Sequence, residues 1–328
     1  YGDERRSLIE YSGGDVSIED LIADENVVIT ISHAGYIKRT NLSEYKTQNR
    51  GGVGQKSAGT RDQDFLENMF VATNHQYMMF FTQKGKCFWM RVYEIPEGSK
   101  TAKGRAIQNL VNIESDDKVK AFICTQDLKD KDYVNSHNLI MVTKQGQVKK
   151  TSLEKYSKPR ANGVAAITIK EGDELLEAKL TNGESQIILA VKSGKLVRFE
   201  ETKTRPMGRT ASGVRGITLK DETDEVIGMV TVDKDDINDS QILVVTENGY
   251  GKRTKLVDED GEDVYRITNR GGKGVKTLNI TEKTGKLISI SAVTDADDLM
   301  IINKSGLTIR MAVEDLRVMG RATQGVKL

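Results

Sequence analysis

The residues best suited to chemistry in this 328-residue chain are its arginines and lysines, and the chemistry they suit is the holding of phosphate. Gln48-Asn49-Arg50-Gly51-Gly52-Val53-Gly54 is a glycine-rich basic loop, and Asn269-Arg270-Gly271-Gly272-Lys273-Gly274 is a second of similar make. Glycine pairs let the backbone approach an anion closely and turn N–H groups toward it, while Arg50, Arg270 and Lys273 add charge-assisted contacts. The same glycines would also serve a tight connector needing unusual backbone angles. Gly51-x-x-Gly54 is not a nucleotide-binding P-loop, because no Gly-Lys-Ser/Thr ending follows. Catalytic and metal chemistry find little footing: His33, His75 and His137 lie too far apart in the repeat pattern for a recognisable metal site, and neither His-Glu-x-x-His nor Cys-x-x-Cys occurs. His33 falls in a hairpin turn, where a structural role or a phosphate contact is expected.

Net charge is only +1, which by itself argues against a nucleic-acid partner, but the distribution of charge argues the other way. The basic residues recur in phase: Lys38, Arg39 and Arg50; Lys103 and Arg105; Lys149, Lys150 and Arg160; Arg198, Arg209 and Arg215; Arg253, Arg270 and Lys273; and Arg321. The acid gathers in connectors at Glu114–Asp117, Asp221–Glu225, Asp233–Asp239 and Asp295–Asp298. Equivalent positions in a repeat occupy equivalent places, so the cations are expected to form a band along one edge. Such a band suits the regularly spaced phosphates of duplex DNA, contacted without reading sequence. The plainer alternative is a charged surface that keeps an all-β protein soluble.

The elements that must carry these residues are six copies of one signature: a β-branched or aliphatic run, a polar turn ending in Gly, and a second apolar run bearing Lys or Arg. The turn glycines are Gly35, Gly85, Gly146, Gly194, Gly249 and Gly306, at propeller-blade spacing. A second Gly follows in each copy: Gly54, Gly104, Gly163, Gly213, Gly274 and Gly325. The acidic insert Asp258-Glu259-Asp260-Gly261-Glu262-Asp263 lengthens the fifth copy alone. A one-turn helix or wide loop is expected between the two glycines. With Pro only 3 of 328 residues and Val, Ile and Thr filling the runs, the chain reads as all-β. Period-2 alternation is expected to turn Val28, Ile37, Phe80, Phe88, Ile140, Val148, Leu189, Leu196, Val244, Leu299 and Ile309 inward. Residues 1–328 form one domain, with 1–26 as a lead-in that holds a short helical turn near Ser17–Ile22.

Cys87 and Cys124 fit a reducing cytoplasm rather than a disulfide framework, and no run reaches transmembrane length. No signal peptide opens the chain, and the start on Tyr1 reads as a fragment of something longer.

Tyr1-Gly2-Asp3-Glu4-Arg5-Arg6, Ser32-His33-Ala34-Gly35-Tyr36-Ile37-Lys38, the loop Gln48–Gly54, Val92-Tyr93-Glu94-Ile95-Pro96 and Met319–Val326 together resemble the family of DNA gyrase A C-terminal domains. The family's first-blade box reads Gln-Arg-Arg-Gly-Gly-Lys-Gly; this chain matches it at Gln48, Arg50, Gly51, Gly52 and Gly54 and departs at Asn49 and Val53. The resemblance implies a six-bladed β-pinwheel, propeller-like, with a strand exchanged between neighbouring blades. It implies positive-handed wrapping of duplex DNA around a basic rim, fastened by the box, so that ATP-driven strand passage by the whole enzyme introduces negative supercoils. The implied domain is itself non-catalytic and monomeric, with no cofactor of its own; ATP and Mg2+ serve the full enzyme. Its implied partners in an A2B2 assembly are the B subunit, together with the rest of the A chain, in the bacterial cytoplasm at the nucleoid and away from membranes. The topoisomerase IV A subunit, whose similar pinwheel usually has fewer blades and a degraded box, is the near alternative. A propeller-type protein-interaction platform is the distant one.

Overall fold

The apolar runs fold back on themselves wherever glycine permits. Gly35, Gly85, Gly146, Gly194 and Gly249 close the hairpins with φ between 75° and 87°, a region other residues enter at a cost. The pairing that results brings Ile31 opposite Ile37, Phe81 opposite Cys87 and Val142 opposite Val148. The computed structural model describes residues 17–44, 64–302 and 308–328.

Five hairpins each grow into a four-stranded antiparallel blade by the same rule. The connector supplies a third strand beside the first, and the next repeat lends a two-residue exchange strand beside the second. Blade one comprises Asn26–Ser32, Tyr36–Asn41, Leu66–Thr73 and the exchange strand Arg105–Ala106. Blade two comprises Tyr77–Thr82, Lys86–Arg91, Val119–Thr125 and Val164–Ala165, and blade three Asn138–Thr143, Gln147–Ser152, Leu175–Thr181 and Val214–Arg215. Blade four is Gln186–Val191, Lys195–Glu200, Val226–Val232 and Val275–Lys276; blade five is Gln241–Thr246, Tyr250–Lys255, Leu287–Val293 and Val326–Lys327.

The sixth repeat departs from the expected six like blades. Among the described residues it is a two-stranded hairpin, Asp298–Ile302 with Thr308–Ala312. Each full blade is completed by chain that follows its hairpin, and of residues 313–328 the strand Val326–Lys327 is committed to blade five.

Period-2 alternation is corrected too. Met78–Thr82, Leu139–Thr143 and all of Gln186–Val191 are buried at every position. Both faces of these sheets are covered, because a core fills each gap between neighbours. Met78 and Phe80 pack toward blade one's Ile29 and Ile31, whereas Met79 and Phe81 pack toward blade three's Leu139 and Met141. Ile187 and Leu189 meet blade three while Ile188 and Ala190 meet blade five. A strand buried on both faces reads as a continuous apolar run. Val28, Ile37, Phe80, Phe88, Ile140, Val148, Leu189, Leu196 and Val244 are buried as expected, and Leu299 is half-buried. The Ile309 side chain lies outside the described residues.

One-turn 3-10 helices follow the second strand in five repeats, as at Val92–Glu94 and Glu201–Lys203; the fifth repeat carries its acidic insert there instead. The lead-in turn is Ile18–Leu21, capped reciprocally by Ser17 and Asp20. A short α-helix, Lys131–Ser136, sits in a connector whose sequence carries no repeat signature.

Candidate nucleic-acid interface

The phased cations divide into two populations. On the second hairpin strand Lys38, Lys149, Lys150, Arg198 and Arg253 are buried, with Lys252 beside them. Their expected role as phosphate contacts is corrected, since a side chain without solvent exposure and with its donors engaged cannot meet a ligand. The residues work instead on backbone carbonyls, most of them in the neighbouring repeat. Lys38 Nζ donates to the carbonyls of Ser99, Lys100 and Ala102 at 3.0, 2.6 and 2.8 Å. Lys149 Nζ donates to the carbonyls of Ala166 and Arg209, the latter at 2.5 Å. Lys252 Nζ donates to Gly320 O and Arg321 O, both at 2.6 Å, and to Thr323 Oγ1.

The next residue along turns to the opposite face and grips the foot of the same loop. Arg39 Nε, on a half-buried side chain, donates to Ile95 O at 2.8 Å, Lys150 Nζ to Glu201 O at 3.1 Å, and Arg253 Nε to Leu316 O at 2.5 Å. Arg198 donates to Tyr265 O and to Asp263, both at 2.8 Å, so part of the acidic insert is counter-charge for a buried guanidinium. Burial disfavours the charged forms: it pushes the Lys149 amine down to about 7 and Lys252 to about 8, and lowers Lys38 and Lys150 as well.

The second population lies along one edge. The third strands of blades two to five pack against one another in succession, so the exchange strands form the edge on the far side of each sheet. Arg105, Arg215, Lys276 and Lys327 stand exposed on exchange strands, and Arg160, Lys273 and Arg321 stand exposed on the loops entering them. Lys276 and Lys327 each stand at the second position after a recurring glycine, Gly274 and Gly325. Lys103 is half-buried, its Nζ 4.3 Å above the Tyr36 ring, and Arg209 is also half-buried.

These loops are joined to one another. Thr168 donates to Thr210 O and Ala211 O, Thr218 to Gly271 O and Gly272 O, and Asn279 N to Thr323 O at 3.1 Å. Between blades four and five a cleft of about 350 Å³ sets Lys192, Lys220 and Lys286 beside Lys276, with Asp221 and Asp224 also on its wall. The arrangement offers a connected, positively charged edge whose cations lie on rigid strands and tethered loops. Among the described residues no group of His, Cys, Asp and Glu is placed to hold a metal.

The glycines of the fifth-repeat loop behave differently from the expectation. Gly271 N–H is already donated to Gly216 O at 2.6 Å, and Arg270 directs its guanidinium to Lys203 O and Arg215 O, both at 3.1 Å, leaving Lys273 as that loop's exposed cation. The recurring second glycine is steric. At Gly274, φ is +71° and a Cβ would lie 2.5 Å from Leu196 O; at Gly104 it would lie 2.5 Å from Ile37 O. Gln48, Arg50, Gly51, Gly52 and Gly54 lie outside the described residues.

Each histidine has a neighbour that orients its ring. His33 stacks on Phe65 at 4.8 Å, His75 Nε2 lies 2.7 Å from Ile22 O, and His137 Nδ1 lies 2.8 Å from Tyr133 O.

The family model described as DNA gyrase C-terminal domain, beta-propeller, matches six segments: 26–73, 76–126, 137–182, 186–233, 240–294 and 297–328. The DNA gyrase A subunit of Staphylococcus epidermidis is 43% identical over 330 aligned positions, covering 100% of this chain and 35% of the relative. The chain thus spans about a third of the length of the curated relatives it matches. The C-terminal domain of DNA topoisomerase IV superposes with a TM-score of 0.74 at 26% identity, over 94% of this chain and 90% of that one. A DNA gyrase A C-terminal domain superposes at 0.72 over 93% and 95%; at 24% identity that likeness concerns the fold.

Proposed function

Since this chain belongs to the DNA gyrase C-terminal domain family, we propose that it binds duplex DNA without sequence preference along the exchange-strand edge and wraps it with positive handedness. The observation that carries the reading is the exposed series Arg105, Arg160, Arg215, Lys273, Lys276, Arg321 and Lys327, on one edge of successive blades and linked loop to loop. Phosphates recur along a duplex, and cations spaced along a curved protein edge neutralise them while releasing counterions. A bent duplex is stiff over such lengths, so wrapping needs contacts distributed along its path rather than concentrated at one point.

In the whole enzyme the wrap would deliver a neighbouring segment of the same DNA molecule to the cleavage gate. ATP-dependent strand passage, with Mg2+, would then introduce negative supercoils. This domain would contribute no catalytic group. Its partners would be the B subunit, together with the remainder of the A chain, in an A2B2 assembly of the bacterial cytoplasm at the nucleoid. Six repeats, five of them full blades completed by an exchanged strand, belong to the same reading, supported by six matched segments and by five exchanges of one kind. The fold is shared with topoisomerase IV, and whole-chain identity to gyrase A favours gyrase.

The test is a topology assay. Closed circular DNA relaxed by a separate enzyme in the presence of saturating chain should retain a positive linking difference after protein removal. Binding with no linking change would leave a DNA-binding domain and remove the wrapping.

A further inference from the structure

The second hairpin strands are not six equal copies. Repeats one, three and five carry Lys38-Arg39-Thr40, Lys149-Lys150-Thr151 and Lys252-Arg253-Thr254, whereas the same places in repeats two and four hold Phe88-Trp89-Met90 and Val197-Arg198-Phe199. In repeats one and five the lysine amine sits among oxygens of the loop that the following repeat sends to the edge, at residues 99–102 and 320–323, and in repeat three Lys149 ties Arg209 O of that loop to Ala166 O of its own repeat. Thr40 and Thr254 close two of these loops by donating to Gly98 O and Met319 O, both at 2.9 Å. In the second set Phe88 and Val197 belong to interblade cores, and no amine stands at those places to receive the loops entering those blades.

The loops differ accordingly. The caged ones read Gly98-Ser99-Lys100-Thr101-Ala102-Lys103-Gly104, Met207-Gly208-Arg209-Thr210-Ala211-Ser212-Gly213 and Met319-Gly320-Arg321-Ala322-Thr323-Gln324-Gly325. The uncaged ones read Pro159-Arg160-Ala161-Asn162-Gly163 and Asn269-Arg270-Gly271-Gly272-Lys273-Gly274.

We propose that Lys38, Lys149 and Lys252 are positioning residues for the DNA-binding edge, each pre-forming one loop around its amine so that the cations on that loop and its exchange strand stand ready for phosphate. The edge then alternates between loops held on a lysine amine from the preceding repeat and loops held by other contacts. Pre-formed donors bind without the ordering cost that a loose loop would pay at each contact. A Lys-basic-Thr run on the second strand of alternate repeats is the sequence mark of the device. The inference rests on the DNA-binding reading above and adds to it which loops are rigid and what makes them so.

The experiment uses the 328-residue chain, a linear duplex and a salt series. Lys149→Met removes the donors at little change in volume. Measured beside it are the double variant Arg209→Ala with Arg215→Ala, and the combination of all three. If Lys149 acts through the loop's cations, Lys149→Met lowers the slope of log affinity against log salt by up to about 2, the value for two phosphates. The triple variant then falls no further than the double, and amide exchange accelerates in residues 207–213 while 158–163 keep the parent's rate.

Effects of Lys149→Met and the double variant that simply add, or an unchanged slope in a folded Lys149→Met chain, would overturn the positioning role. Should Lys149→Met fail to fold, Lys38→Met with Lys103 and Arg105, and Lys252→Met with Arg321 and Lys327, carry the same comparison. Failure of all three to fold would make the lysines purely structural and likewise overturn it. A parent chain that ignores duplex DNA would instead remove the DNA-binding reading itself, an outcome visible before any variant is made.

Discussion

Lys149 shows why residue type alone misleads. It sits in a basic pair, in phase with other basic residues, yet it is 0% exposed and gives its donors to two carbonyls, Ala166 O of its own repeat and Arg209 O of the next. Its titration has a consequence for stability. The folded-state value is about 7 against an ordinary 10.5, so between those pH values unfolding takes up a proton that the native chain does not hold. Stability from this group therefore rises with pH from about 7 toward 10.5, and is lowest below 7, where the buried amine carries its charge. Thermal unfolding followed from pH 6.5 to 9 should show a steeper rise for the parent than for Lys149→Met; parallel curves would contradict the buried, depressed amine. Gly274 gives a second residue-scale expectation. Gly274→Ala adds a Cβ 2.5 Å from Leu196 O at a φ of +71°, and should cost about 1–3 kcal/mol from the backbone conformation, with the clash adding to it. Chemical denaturation measures the loss, and an unchanged midpoint would mean the loop relaxes freely.

At the scale of elements, the hairpins were legible and the fourth strands were not. A β-branched run, a turn ending in glycine and a second run fix a hairpin locally, since register follows from the turn. The exchange strands are two residues long and pair across repeats, as Val214 does with Val148 and Val275 with Leu196. Nothing within such a dipeptide announces its partner. Leu189, 0% exposed on a strand covered on both faces, tests how tightly the interblade cores are filled. Leu189→Ala should lose about 2–5 kcal/mol, read from the denaturant midpoint, and a loss well below that range would mean the blades close over the gap. The two glycine-rich loops remain separable by experiment. Because Arg270 is held by Lys203 O and Arg215 O, replacing Arg270 and Lys273 together by Ala should lower affinity and the salt slope, with a smaller topological defect. Arg50→Ala, tested in the restored full enzyme, should reduce supercoiling more than it reduces bulk DNA binding. If the fifth-repeat variant abolishes supercoiling while Arg50→Ala behaves as the parent, the working box is the fifth loop.

For the whole molecule, a net charge of +1 conceals two separated populations. Buried cations hold neighbouring repeats together, and exposed ones line the edge that those repeats build. Carboxylates are drawn into the same division: Asp263 and Asp295 neutralise Arg198 and Arg253, while Glu114 and Asp116 pair with Lys84 and Lys86 on the hairpin side. Direct phosphate contact should therefore come from the exposed set, with the buried cations acting through the loops they hold. Arg160→Ala should reduce the slope of log affinity against log salt by about 0.9, the value for one phosphate, and leave sequence preference unchanged. A slope identical to the parent's would place the duplex elsewhere.

By itself the sequence determined the all-β class, the six repeats, the hairpin glycines and the family, because these depend on local pattern and on recurrence along the chain. It also marked where positive charge recurs. Only the tertiary structure decided which of those charges face solvent. Lys149 and Lys150 are adjacent in sequence and leave the strand on opposite faces; in a sheet packed on one side, one of the two would reach water. Here both faces are covered by neighbouring blades, so both amines turn to carbonyls, and exposure passes to the short exchange strands at the edge. That division depends on contacts between residues some 50 to 70 positions apart, such as Lys149 with Arg209 or Arg198 with Tyr265, which no local spacing records.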